Sequence, residues 1–160
     1  MSPLDWTIAV LACTAGIFAG FFIAKRKAQL ARQNQLAEAQ AQFQGMREQL
    51  EAKFLQRAGL SGRPRGLRWA DCEFESDAAY ARDRQTGQLS AFVAVSIKFE
   101  AVPGGGMEEV EAVHQRKYGT AVFRYDPKQR WVPDPQPMFN LNPDEAVQRL
   151  HDALEPVAQK

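Results

Sequence analysis

Few residues in this chain are of the types that carry chemistry, and their spacing ties them to no reaction. Two histidines occur, His114 and His151. His114 sits between Val113 and Gln115 in an extended pattern, and His151 follows Leu150 on a helical one. No H-E-x-x-H, C-x-x-C or G-x-S-x-G run is present, so the usual metal, redox and nucleophile spacings are missing. Asp71, Glu73 and Glu75 alternate along one stretch, with Asp77 next. On a strand the first three share a face, and oxygen ligands so placed could hold Ca²⁺ or Mg²⁺. Same-face neighbours lie nearly 7 Å apart, at about 3.3 Å per residue, too far for one ion without other strands. A solvated face that protects a strand from edge pairing is the simpler reading, with Arg82 and Arg84 to neutralise it. Cys72 shares its face with Ala70 and Phe74 and reads as a small core residue, since a strand supplies no helix dipole to activate a thiol. Gly104-Gly105-Gly106 lacks the Lys-Ser/Thr that completes a phosphate loop and reads as a turn between strands. No cofactor, metal or catalytic set is expected.

The elements that would position these residues follow from periodicity. Leu67–Ser76 alternates as a half-buried strand, and Ala79–Arg82 reads as a second one. Asp83-Arg84-Gln85-Thr86-Gly87 is a hairpin turn with Gly87 at a left-handed position. Leu89–Val102 is the strongest strand, with Leu89, Ala91, Val93, Val95, Ile97 and Phe99 on one face. Val110–Tyr125 is the next, Asp126-Pro127-Lys128 a type I turn, and Arg130–Val132 a short return strand. Pro133, Pro135 and Pro137 confine Met138–Leu141 to an edge or an extended loop. Asn142, Pro143 and Glu145 form the N-cap, first turn and capping box of a last helix. Its apolar stripe is Val147, Leu150, Leu154 and Val157, and Pro156 ends it.

Upstream the pattern is helical. Residues 28–58 contain no Pro and one Gly, and are rich in Ala, Gln, Glu and Leu. Leu36, Ala39, Phe43, Met46 and Leu50 recur at steps of three and four, with Phe54 beyond. That spacing fits a short coiled coil between copies, or a helix whose Phe43–Leu55 end packs on the sheet. The Gln-rich start reads as stalk, and the Phe43–Leu55 end as docking.

Trp6 to Ala24 is uncharged, and Lys25-Arg26-Lys27 follows at once. As a helix these 19 residues span about 28 Å, close to the hydrocarbon core of a bilayer. Met1–Asp5 has no basic side chain, unlike a secretory signal peptide, so an uncleaved anchor is expected. Cations concentrate on the cytoplasmic side of such anchors. This places the N-terminus outside and the rest of the chain in the cytoplasm, at the inner membrane of the cell. Ala12, Gly16, Gly20 and Ala24 recur every four residues, a small-residue stripe suited to close association of two membrane helices. Cys72 is the one cysteine outside the anchor, which asks for no oxidising compartment.

The expected organisation is α+β. It comprises an N-terminal segment (1–5), a single transmembrane helix (6–24), a helical stalk or short coiled coil (25–60), a linker (61–66) and a small antiparallel β-meander domain with a C-terminal helix (67–160). Its order of elements resembles the cystatin-like and NTF2-like arrangement, a likeness that implies fold alone. Residues 1–58 resemble small bacterial inner-membrane proteins with an outward N-terminus and a cytoplasmic coiled coil. Lys25–Arg68 carries ten basic and three acidic residues, favourable beneath an anionic leaflet. No aromatic is interleaved with those cations before Phe43, which argues against nucleic acid. Two functions follow. The first is a non-enzymatic interaction or scaffolding module on the cytoplasmic face, with the bilayer, itself and a protein as partners. The alternative is a tethered small-molecule-binding or enzymatic domain, with a pocket between sheet and helix lined by Trp69, Phe92, Tyr118 or Trp131.

Overall fold

A computed structural model describes the backbone of residues 3–61, 66–113 and 115–158, and the side chains of these except 3–21, 28, 32, 60 and 61. The chain divides into two units, Met1–Gln44 and Gly45–Lys160. The first is a helix, α1 (Pro3–Gly45, its last residue belonging to the second unit). Along it Phe22, Ile23 and Leu30 are exposed, as are Ala24, Lys25, Arg26 and Lys27. Among the residues whose side chains are described, no helix is long and apolar enough to cross a membrane. The side chains of Trp6 to Phe21 lie outside them, and with them Ala12, Gly16 and Gly20 of the small-residue stripe.

The second unit is α+β. Its elements are α2 (Arg47–Ser61), β1 (Leu67–Asp83), β2 (Leu89–Ala101), a 3₁₀ turn (Glu111–Val113), β3 (Lys117–Asp126), β4 (Arg130–Pro133), β5 (Met138–Phe139), α3 (Pro143–Arg149) and β6 (Leu154–Val157). They build a six-stranded antiparallel sheet in the order β4-β3-β2-β1-β6, with β5 also on β3. Alternation of β2 sends Val93, Val95 and Ile97 to one face and Phe92 and Ala94 to the other.

On the first face α2 buries Leu50, Phe54 and Ala58. The Phe54 ring meets Trp69 at 6.1 Å, Phe74 at 5.7 Å and Phe123 at 6.0 Å. The steps of four that suggested a coiled-coil seam serve here, at Leu50, Phe54 and Ala58, to pack a helix on its own sheet. The Arg57 guanidinium fixes the far end, donating to the Pro133 carbonyl at 3.1 Å. On the opposite face α3 lays Ala146 and Val147 over Ala81, Phe92, Val122 and Leu154, with Met138 and Leu141 at the margin.

Four expectations change. Leu67–Ser76 and Ala79–Arg82 are one strand, continuous through a bulge in which Glu75, Ser76 and Asp77 oppose Ala94 alone. Arg47, at the start of α2, donates to the bulged carbonyls of Glu75 and Ser76 and to Glu51 at 2.8 Å, so the irregular backbone is satisfied from outside the ladder. A second bulge, between Trp69 and Asp71, puts Trp69 rather than Ala70 on the core face beside Cys72 and Phe74.

The third difference concerns β3, which begins at Lys117 rather than Val110. The end of β2 pairs with β1 (Leu67 opposite Ala101) and not with β3, so residues 102–113, which include the 3₁₀ turn, are free to form a loop. The glycines do turn the chain there, with Gly104 and Gly106 at positive φ. A Cβ on Gly105 would come within 2.6 Å of the Gly66 Cα.

Fourth, the C-terminal helix stops at Arg149, and Leu150 is exposed. Leu154–Val157 leaves the helical stripe and becomes β6, paired to Tyr80–Asp83. An open strand edge offers this segment a full ladder, and Pro156 is tolerated because β6 is itself an edge. From Leu67 to Ala79 the same edge of β1 has no strand partner among the described residues.

Candidate functional site

Beyond the cover of α3 the second face of the sheet opens into a cavity of about 470 Å³. Small residues make its floor: Ala94 and Ser96 on β2 and Gly119 on β3. A Cβ at Gly119 would lie 2.8 Å from the Met138 carbonyl oxygen, so the close seat of β5 against β3 depends on glycine. Glu73 and Glu75 of β1 stand on one side, and Tyr118, Asn140, Leu141 and Asn142 on the other.

Arg116, just before β3, organises the β1 side. Its Nη2 donates to Asp71 at 2.7 Å and Glu73 at 2.9 Å, and its Nη1 to the Ser96 hydroxyl at 3.1 Å. The carboxylates that alternate in sequence are thus joined by one guanidinium from two strands away. Glu75, beyond Phe74, has no hydrogen bond or ion pair for its carboxylate among the described residues, and Asp77 sits within the bulge.

The opposite wall is held by backbone. Asn140 adopts φ 57, a left-handed conformation that asparagine tolerates better than most residues, and its N–H donates to the Tyr118 carbonyl at 2.9 Å. The buried Thr120 hydroxyl donates to the Leu141 carbonyl at 2.7 Å. Asn142 caps α3 as its sequence indicates: its Oδ1 accepts from the Glu145 N–H at 2.8 Å, and its own N–H donates to the Glu145 carboxylate at 3.0 Å.

The aromatic residues expected to line a pocket are not brought together. Trp131 is buried against Tyr80 and Tyr125, and Trp69 packs edge-on to Phe99 at 5.5 Å, both on the α2 face. Phe92 is buried under α3 on the other face. Tyr118 alone faces the cavity, 67 % exposed. His114 lies outside the described residues. His151 is on the exposed turn after α3, 3.0 Å from the Gln148 carbonyl and 3.1 Å from Asp152. Burial first, and then the charge of Asp71, push the Cys72 thiol up to about 12, far from the range of an activated nucleophile. Among the described residues no group of three His, Cys, Asp or Glu side chains is placed to hold a metal ion.

Sequence reading missed Arg116 and Asn140. The join from Arg116 to Asp71 depends on the registers of β1 on β2 and β2 on β3, which no local pattern carries. Asn140 left a faint trace as a turn-forming residue after a run of prolines. Compared with known proteins, the chain matches no family model, no curated protein and no solved structure.

Proposed function

We propose that the chain is a single-pass membrane protein whose cytoplasmic α+β domain is a non-enzymatic interaction or scaffolding module. The observation that carries this is the uncharged run from Trp6 to Ala24 closed by Lys25-Arg26-Lys27. The run is long enough to cross a bilayer as a helix, and its flank fixes the cationic end in the cytoplasm. Ala12, Gly16, Gly20 and Ala24 then form the helix-association stripe, and the exposed Lys25, Arg26 and Lys27 meet the anionic headgroups.

Two features of the domain support the interaction reading over the cystatin-like or NTF2-like ligand-binding one. In the latter a pocket lies between helix and sheet, whereas here Phe54, Phe123 and Leu50 occupy that space with essentially no exposure. Ionisable side chains meet as ion pairs, Arg116 with Asp71 and Glu73, Arg124 with Asp134, and Arg68 with Glu100. Among the described residues they form no acid–base pair aimed at a reacting atom.

The test uses the full chain in native membranes, with a photoreactive residue at the exposed Gln88 and a Gly16→Ile/Gly20→Ile variant beside the wild type. Retention in the membrane pellet after alkaline carbonate is expected, with a discrete heterologous adduct from Gln88 and a self-adduct lost in the variant. Release by carbonate would overturn the anchor. A retained protein that is monomeric and gives no adduct would overturn the module.

A further inference from the structure

We infer that the cavity on the α3 face receives a single cationic side chain, the lysine or arginine of a partner segment. The inference rests on the interaction reading and names the chemistry of the partner. Arg116 already satisfies Asp71 and Glu73, so those acids are not the attraction. What remains at the cavity is one carboxylate, Glu75, with no partner among the described residues. Across from it Tyr118 is 67 % exposed. An exposed tyrosine and a carboxylate unpaired among the described residues, both lining the same recess, are the complement of an ammonium or guanidinium group.

The recess has room for such a side chain because its floor is Ala94 and Ser96, where larger residues would fill it, and Gly119, whose lack of a Cβ lets β5 sit close. Its position is held from both sides. Arg47 grips the carbonyl of Glu75 itself from the other face of the sheet, and Asn140 is tied to the Tyr118 carbonyl. An anion fits less well. Arg116 is the one cation lining the recess among the described residues, and both of its Nη groups are engaged.

The experiment titrates the full chain in lipid nanodiscs with acetyl-Gly-Arg-Gly-amide and acetyl-Gly-Lys-Gly-amide, following the amide resonances of Tyr118 and Asn140. Acetyl-Gly-Glu-Gly-amide, a norleucine counterpart and inorganic phosphate are the comparisons. Saturable shifts with the Arg and Lys peptides alone are expected. Glu75→Gln and Tyr118→Ala should each weaken them about tenfold, and Asp77→Asn, outside the recess, should leave them unchanged. Absence of saturation, equal binding in Glu75→Gln, or preference for phosphate or the Glu peptide would each overturn the proposal. The crosslink separates this from the function itself. A Gln88 adduct in a wild-type chain that binds neither cationic peptide removes the site and leaves the module.

Discussion

At the scale of single residues, Arg47 ties the start of α2 to the bulge in β1. It stands in the first turn of α2 with its side chain 14 % exposed, and it donates to two carbonyls that the bulge in β1 takes out of the ladder. Charge-assisted bonds to backbone acceptors are among the stronger contributions a side chain makes. Arg47→Ala should lower stability by about 1–3 kcal/mol, with Arg47→Lys intermediate because one donor group replaces a fork. Urea unfolding followed by tryptophan fluorescence measures both, since Trp69 and Trp131 lie inside the domain. Equal midpoints for wild type and Arg47→Ala would show that solvent replaces the guanidinium without cost. Cys72 is inert by comparison. The sequence reads it as a small core residue rather than a nucleophile, and burial first, then the neighbouring Asp71, push its thiol up.

At the scale of elements, two hairpins share a device. Asp83 Oδ1 accepts from the backbone N–H groups of Gln85 and Thr86 and from the Thr86 hydroxyl. Asp126 Oδ1 accepts from those of Lys128 and Gln129. The Thr86 N–H holds the Asp83 carboxyl below its usual range, and the Gln129 N–H does so for Asp126. A carboxyl with a depressed folded pKa stabilises the fold fully above the unfolded value of about 3.9, and the contribution is lost as pH falls through the lower folded value. The urea midpoint of the wild type should therefore drop from about pH 4 downward. Asp83→Asn/Asp126→Asn should start lower at neutral pH and fall less steeply through that window. Parallel curves would mean that other carboxylates govern the acid response. These turns were legible from Gly87, suited to the left-handed position it takes, and from Pro127 at the second position of a type I turn. The capping box of α3 was legible from Asn142, Pro143 and Glu145 at their fixed spacing.

At the scale of the whole molecule, the domain depends on α2, which lies within the stretch 25–60 read from sequence as a stalk and overlaps its Phe43–Leu55 end, the part expected to dock. Phe54 is fully buried and touches Trp69, Phe74 and Phe123 from β1 and β3. Phe54→Ala should cost about 3–5 kcal/mol, and Phe54→Leu less, because the cavity left behind sets the loss. The urea midpoint reports it, and a change near zero would make α2 dispensable to the sheet. The compact unit that includes this helix begins at Gly45.

The sequence by itself determined what neighbours within a few residues decide. It showed the uncharged run against its cations, the alternation of β2, the two aspartate turns and the cap at Asn142. Each depends on a side chain meeting the adjacent turn or the next residue on its own face. Tertiary structure alone decided the rest. It turned Leu154–Val157 from a helical stripe into β6, set Trp69 in place of Ala70 on the core face, and carried Arg116 to Asp71 and Glu73. Those outcomes turn on which backbone groups distant strands leave unpaired and on register across two ladders. The physical reason is that an open edge can outweigh a weak local preference, and one extra residue in a strand reverses the face of every side chain beyond it.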